Sequence, residues 1–155
     1  MNSYERLLEK GRQEDVIIKE KTFKSNASGL CRGNKIAIRG DIPTAEKAAV
    51  LAEELGHYYT TVGDILNQES TANRKQERRA RIWAYNRLAS LEGLIDAYMH
   101  GCHTAYEMAE YLEVSEAFFN DAVLYYGEKY GRSITHSGHI ITFEPTFTVS
   151  GERFN

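Results

Sequence analysis

One short stretch of the chain combines carboxylates and an imidazole at a spacing that suits metal chemistry. The segment LAEELGH places Glu53 and His57 four residues apart. On an α-helix such residues share a face, with Cβ atoms about 5–6 Å apart, so both side chains can hold one cation. Glu54 lies beside that face and can take a proton from a metal-bound water, whose pKa falls to about 7 on zinc. The segment therefore indicates hydrolytic chemistry on a helix.

The pattern differs from the HExxH helix of zinc peptidases at its first ligand position. In that motif two histidines on one helical face bind zinc, and a glutamate acts as the general base. Here Glu53 stands at the place of the first histidine. Taken alone, a Glu-Glu-x-x-His string also fits the solvent-facing side of an ordinary amphipathic helix, because acidic residues are mostly exposed. The residues by themselves leave both interpretations open.

Longer stretches of the sequence resemble the ImmA/IrrE family of zinc-dependent metallopeptidases, and in particular its short members from phages and integrated mobile elements. The resemblance lies in the segments GLCRGNKIAI, AEKAAVLAEELGHYYTTVGDIL, ANRKQERRARIWAYNRL and YEMAEYLEVSEAFFNDAVLYYGEKYG. Many of these short relatives look similar in having AEELGHYYT where the wider family has HELGH. The resemblance implies that Glu53 and His57 are metal ligands, that Glu54 is the catalytic general base, and that zinc is the cofactor.

The resemblance also implies a third metal ligand from the following helix, and Glu77 matches it. From the residues alone, Glu77 equally fits a surface position paired with Arg81, four residues further on. Asp64 and Glu69 are competing ligands that lie nearer to His57 in the sequence. A site with one imidazole and two carboxylates should bind zinc less tightly than one with two imidazoles, which makes manganese the alternative metal.

For function, the resemblance implies an endopeptidase whose substrate is a repressor protein of a phage or mobile element, cut so that silenced genes switch on. Two other classes stay open. A non-catalytic module would bind a repressor partner through the degenerate site. A DNA-binding regulator would use a helix pair at 105–130 and the basic run from Arg74 to Arg81. Direct nucleic-acid binding is not expected, because Glu116 and Asp121 on the second helix of that pair would repel phosphate.

Composition and charge exclude several other classes of protein. With 155 residues, 42% of them hydrophobic, the chain fits a folded domain and can bury a core. Its net charge of −3 does not suit a general binder of polyphosphates. No apolar run reaches the roughly 20 residues that cross a bilayer, and the charged N-terminus does not fit a signal peptide. Since Cys31 and Cys102 then predict reduced thiols, we expect a cytoplasmic protein with no membrane partner.

The elements that position these residues follow from hydrophobic periodicity and turn signals. They predict an α+β fold: a small zincin-like domain with a short three-stranded N-terminal sheet, a metal-site helix, a second ligand helix and a helical C-terminal subdomain. The predicted domains are a metallopeptidase domain at 1–100, a helix-turn-helix-like subdomain at 101–131 and an extended or hairpin tail at 132–155. The predicted elements are a helix at Ser3–Lys10 capped by Ser3 and ended by Gly11, a strand at Val16–Lys19, a hairpin turning at Gly33-Asn34, and helices at Ala45–Tyr59, Thr71–His100 with a break near Gly93, Ala105–Leu112 and Ser115–Tyr130.

Two further features bear on the site. Zinc peptidases commonly hold the substrate along a sheet edge by backbone hydrogen bonds, and the strand around Lys35 to Arg39 is predicted to be that edge. His100, Cys102 and His103 form a second cluster of ligand-type side chains. Because no fourth ligand stands nearby, this cluster is typical of a helix end and loop.

Overall fold

The structure is a computed structural model that describes residues 1–60 and 70–151, with residues 70–73 described by their helical backbone alone. The chain divides into two compact units, Met1–Arg87 and Leu88–Asn155. The α+β class and the three-stranded N-terminal sheet, both predicted, are confirmed. The three domains at 1–100, 101–131 and 132–155 stay a prediction.

The described elements follow one another in the chain as helices and short strands. The first unit contains α1 (Ser3–Gln13), β1 (Ile17–Lys21), β2 (Gly29–Arg32), β3 (Lys35–Arg39), α2 (Thr44–Thr60) and nearly all of α3 (Ser70–Leu88). The second unit contains α4 (Leu91–Met99), α5 (Ala105–Leu112), α6 (Glu116–Tyr130), β4 (Ser133–His136), β5 (His139–Thr142) and β6 (Thr148–Ser150). Within the described residues, every helix is too short or too polar to cross a membrane.

The N-terminal sheet has the strand order β1-β3-β2, with β3 parallel to β1 and antiparallel to β2. The prediction that the strand at Lys35–Arg39 forms the sheet edge is therefore wrong, because β3 is hydrogen-bonded on both sides. The loop between β1 and β2 is held by Arg39, whose guanidinium donates to the carbonyl oxygens of Ser25 and Ala27. This loop carries the chain past β3, so that β1 and β2 become the two edges.

The core of the first unit lies between this sheet and the helices α1 and α2. Side chains alternate across a strand, so Ile36 and Ile38 of β3 point to the same face, where both are 2% exposed or less. Leu51 and Leu55 of α2 and Leu7 of α1 are equally buried. Full burial of one such side chain contributes about 1.5–3 kcal/mol, and this packing holds α2 against the sheet.

The first helix is longer than predicted. Asn2, not Ser3, is its N-cap and accepts a hydrogen bond from the Glu5 amide, and α1 continues through Gly11 to Gln13. A Cβ atom at Gly11 would lie 2.5 Å from Cδ1 of Ile18. The glycine therefore allows α1 to pack closely against the Ile18 side chain of β1, and does not end the helix.

The long helix predicted at Thr71–His100 is two helices, and its break is not at Gly93. The first ends at Leu88, and Ser90 caps α4 by accepting a hydrogen bond from the Gly93 amide at 3.0 Å. A serine that accepts from the third residue of a helix begins that helix. Gly93 consequently lies in the first turn of α4.

The second unit has its own core, centred on Tyr126 of α6. This residue is 0% exposed, and its hydroxyl donates to the carbonyl oxygen of Ala89 at 2.8 Å. The helices α5 and α6 follow the predicted pair closely, with Ser115 as the N-cap of α6. The tail forms an antiparallel sheet of order β4-β5-β6, which extends the predicted hairpin by a third strand.

Candidate metal and catalytic site

The site is built where α2 and α3 cross at backbone contact. Gly56 of α2 is buried, and a Cβ atom there would lie 2.5 Å from the carbonyl oxygen and 2.9 Å from Cα of Ala80. Only a residue without a side chain permits this approach. His57 follows Gly56 directly, and Glu77 lies one turn before Ala80, so the crossing directs the two side chains toward each other.

The imidazole and the carboxylate meet at this crossing. The Nε2 atom of His57 lies 3.2 Å from Oε1 of Glu77. Two ligands of a tetrahedral zinc, each about 2.0–2.1 Å from the metal, lie about 3.3 Å from each other, so this separation suits a shared ion. The His57 side chain is 18% exposed and that of Glu77 61% exposed, so the pair is open to solvent on the side of α3.

Glu53, the remaining predicted ligand, has a different neighbour. Its Oε1 atom lies 3.9 Å from Nε of Arg81 in α3, and its side chain is 37% exposed. Across residues 1–60 and 70–151, the structure contains no group of three His, Cys, Asp or Glu side chains placed to hold one metal ion. The structure thus brings His57 and Glu77 together and leaves Glu53 in an ion pair.

Glu54 lies against the sheet instead of facing solvent. Its Cγ atom occupies the space beside Gly29 of β2, where a Cβ atom would be 2.9 Å away. Burial raises the pKa of Glu54 to about 7, and the negative charges of Glu77 and Glu53 contribute to the rise. A carboxyl group with a pKa near neutrality can both accept and return a proton, as general acid–base chemistry requires.

The thiol of Cys31 in β2 interacts electrostatically with this carboxyl group. Burial raises the pKa of Cys31 to about 11, and the charge of Glu54 contributes to the rise. Since the thiolate is the reactive form, the raised pKa keeps Cys31 mostly in the unreactive thiol form near neutral pH. Asp64 and Glu69, the competing ligands of the sequence prediction, lie outside the described residues.

The comparison with protein families adds a direct assignment. Residues 13–123 match the peptidase family M78, described as the IrrE N-terminal-like domain. The chain belongs to this family. The match covers most of the chain, includes Glu53, Glu54, His57 and Glu77, and confirms the resemblance seen in the sequence. Membership in the family supports a metallopeptidase-type function for this M78 protein. A comparison with curated proteins finds no match.

Sequence reasoning missed the two glycines that shape the candidate site. Gly56 allows the helix crossing, and Gly29 makes room for Glu54. One signal was present, because a glycine inside an otherwise strong helical pattern often has a packing reason. Nothing in the sequence indicated that the partner of Gly56 is Ala80, since that contact joins two separate helices.

Two tyrosines beside His57 serve the packing of the M78 domain. The ring of Tyr59 stacks on Trp83 of α3 with centroids 5.2 Å apart, and Tyr58 meets Tyr59 edge-on. The ammonium group of Lys10 lies over the Tyr59 ring, 5.3 Å from its centroid. These contacts fasten the C-terminal end of α2 to α1 and α3.

The remaining histidines have local partners in the second unit. The Nδ1 atom of His100 lies 2.8 Å from the carbonyl oxygen of Asp96, and the ring of His103 stacks on Tyr98. His136 lies 2.6 Å from a carboxylate oxygen of α4. These contacts agree with the structural role predicted for the cluster at His100 to His103.

Proposed function

We propose that this M78 protein is a metal-dependent endopeptidase in which His57, Glu77 and Glu53 hold zinc and Glu54 is the general base. The observation that carries the proposal is the contact between His57 and Glu77 beside the half-buried Glu54. When bound, the metal would polarise the scissile carbonyl and lower the pKa of a water molecule. Manganese is the alternative ion, because two of the three ligands are carboxylates.

In this proposal, Glu54 transfers the proton, and His57 and Glu77 bind the metal. Glu54 stands next to the ligand face of α2, in space that the absence of a side chain at Gly29 leaves open. From there it holds the proton taken from water and returns it to the leaving amine. His57 and Glu77 are fixed by the helix crossing, so they need no rearrangement to meet a common cation.

The substrate backbone has a natural place along β2. This strand pairs with β3 on one side and with no other strand of the described part of the chain. Because Gly29 of β2 touches Glu54, an extended peptide added to this edge would run past the general base. Strand addition at β2 therefore replaces the edge that the sequence assigned to β3.

The substrate class we propose is a protein, namely a repressor of a phage or mobile element, cut in the cytoplasm. Support comes from the family resemblance and from the free thiols of Cys31 and Cys102, which suit a reducing compartment. Neither a membrane nor a nucleic acid is required by this function.

Co-expression with the repressor encoded beside the gene tests the proposal. A discrete repressor fragment is expected with the natural chain, and its rate of formation should fall about 10²–10⁴-fold in Glu54→Gln. Metal analysis of that purified variant should still give about one ion per chain, because the substitution leaves all three ligands in place. Glu46→Gln, the same change at an exposed position of α2, is the matched control and should leave cleavage unchanged.

One observation favours a second candidate, a non-catalytic module that binds a repressor through the degenerate site. Glu53 is held by Arg81, and the described residues offer no ready group of three ligands. Such a module would bind the repressor without metal and without producing fragments. Equal loss of repressor activity with the natural chain and with Glu54→Gln would establish this candidate and reject hydrolysis.

A further inference from the structure

The outer face of the N-terminal sheet, opposite to the core, carries a concentrated positive charge. Side-chain alternation places Lys19 and Lys21 of β1, Arg32 of β2 and Lys35 of β3 on this one face. All four are exposed. The acidic residue of β1, Glu20, points the other way, where it binds Tyr4 and Lys47. The outer face therefore lacks a strand carboxylate to balance its charge.

These cations are not explained by the stability of the sheet. In the described residues none of the four has an ion-pair partner, whereas Arg39 on the same face is engaged by Asp41 and by loop carbonyls. Arg32 stands directly opposite Lys35 in the register of β2 and β3. Like charges directly opposite in a sheet are destabilising, so this arrangement costs stability in a protein whose net charge is −3.

An apolar hollow lies among the cations. Ala37 sits at the centre of the sheet, between Lys19 of β1 and Leu30 of β2 in the strand register. Its small side chain leaves a concavity of about 540 Å³, which is within the 300–1,000 Å³ typical of ligand sites. Leu30 is 60% exposed and Ile17 46% exposed at its rim. The face thus offers an apolar floor surrounded by positive charge.

We propose that this outer face is a docking surface for an acidic protein segment that carries aliphatic side chains. Its carboxylates would neutralise Lys19, Lys35 and their neighbours, while its aliphatic groups would cover Leu30 and fill the hollow over Ala37. A single-stranded nucleic acid fits less well, because bases bind by stacking on aromatic rings and the three strands carry none.

This docking surface does not depend on peptide hydrolysis. Glu54 lies against the inner side of the sheet, whereas the cations stand on the outer side. Loss of the general base would therefore leave the surface intact. Binding to it and cleavage at the metal site can be measured and can fail separately.

A binding assay with the full chain tests the proposal. The probe is a short fluorescein-labelled peptide of glutamates interrupted by leucines, and fluorescence anisotropy gives its dissociation constant. The double variant Lys19→Glu with Lys35→Glu should bind it at least about tenfold more weakly, because each exposed charge pair is lost and replaced by repulsion. Lys75→Glu with Arg79→Glu, the same charge change at exposed positions of α3, is the control and should bind as the natural chain does.

A second variant and two comparison probes decide the chemistry. Leu30→Ser should weaken binding without any change of charge, because it removes apolar contact area. A version of the peptide with lysine in place of glutamate should not bind. The proposal is overturned if the acidic peptide fails to bind, if the double variant binds it as well as the control does, or if polyadenylate binds more tightly than the peptide. Circular dichroism verifies that each variant is folded.

Discussion

Glu53 forms an ion pair with Arg81 in this structure and does not join His57 and Glu77. The two side chains approach to 3.9 Å between α2 and α3, while Glu77 approaches His57. A positive charge at this distance competes with a metal ion for the same carboxylate. If the proposed three-ligand site forms, the share of metal bound there should therefore depend on how easily the ion pair between Arg81 and Glu53 breaks.

Removing that competitor should strengthen metal binding. Two unit charges 3.9 Å apart attract by about 1 kcal/mol in water, so we expect Arg81→Gln to bind zinc about fivefold more tightly. Competition titration with a chromogenic chelator measures the change. Arg79→Gln, at an exposed position of the same helix, should have no effect. Equal affinities for all three proteins would mean that Glu53 does not bind the metal.

The position of Glu54 should depend on the absence of a side chain at Gly29. In Gly29→Ala the new methyl group meets Cγ of Glu54 at 2.9 Å and Cγ1 of Val50 at 2.7 Å, and the flexible glutamate has to move. A misplacement of this size costs about 10–100-fold in turnover. Cleavage assays should detect this loss while the metal content stays unchanged. Gly151→Ala, where a Cβ atom meets nothing within 4 Å, should leave the rate as it is.

Single residues of the site were only partly predictable. Glu53, Glu54 and His57 stand within one helical segment, so their relative placement follows from the helix repeat. The sequence suggests that Arg81 pairs with Glu77, but in the structure it pairs with Glu53. This difference could not be predicted, because it depends on how α2 and α3 cross. Such a crossing is a tertiary property that no local spacing encodes.

At the scale of elements, the approach of α2 and α3 is the feature most sensitive to substitution. Alanine normally improves a helix by about 0.5–1 kcal/mol relative to glycine. At Gly56 the added carbon would lie 2.5 Å from backbone atoms of Ala80, which cannot rotate away. Overpacking costs about 1–3 kcal/mol, so Gly56→Ala should destabilise the protein and separate His57 from Glu77. Urea unfolding and zinc titration measure the two effects.

Gly127 provides the matched control for this prediction. It also lies in a helix and is buried, but a Cβ atom there meets its nearest neighbours at 3.4 Å or more. Gly127→Ala should therefore raise the free energy of unfolding by about 0.4–1 kcal/mol. If the two substitutions changed stability in the same direction, close contact at Gly56 would not be the cause.

A second element-scale contact links α1, β1 and α2 and should make stability depend on acid. Glu20 accepts from the Tyr4 hydroxyl at 2.7 Å and from Lys47 at 2.9 Å, and the Tyr4 hydrogen bond, then Lys47, hold the pKa of Glu20 below its usual 4.5. A lowered pKa contributes stability above the unfolded value, and this contribution is lost as the pH falls through the folded value.

Glu20→Gln should remove this part of the acid dependence. The natural chain should lose stability more steeply than the variant below pH 4.5. Because the carboxylate is 41% exposed, the difference should stay below about 1 kcal/mol. Urea denaturation at a series of acidic pH values measures it, and Glu46→Gln should keep the natural slope. Parallel curves for Glu20→Gln and the natural chain would contradict the assignment.

Elements with strong local signals were predictable, and those set by distant contacts were not. A few adjacent residues determine where α6 starts, at its capping serine, and where the chain turns at Gly33. The break between α3 and α4 lies before Ser90, because Ser90 caps the start of α4 by accepting a hydrogen bond from the Gly93 amide. The prediction placed the break near Gly93, where the helix in fact continues. The central position of β3 depends on where β1 joins the sheet, which local patterns do not specify.

At the scale of the whole molecule, the chain divides into two compact units, and we expect metal binding to stabilise the first, which contains His57 and Glu77. The chain has a single tryptophan, Trp83, which stacks on Tyr59 in that unit and reports its unfolding. Zinc at 100 times its dissociation constant should add about 2.7 kcal/mol to the free energy of unfolding seen by Trp83 fluorescence. His57→Ala should abolish the gain. An unchanged transition with zinc and with chelator would argue against a metal site in this unit.

The length of β2 has a consequence for selectivity. The strand contains four residues, so at about 3.4 Å per residue it spans only about 14 Å. A polypeptide aligned on so short a template is read over a handful of positions, and combinations of that size recur by chance throughout a proteome. If the proposed endopeptidase recognised its substrates only along β2, it would also cleave many unrelated proteins. Its selectivity therefore has to come from features of the substrate that lie away from the scissile bond.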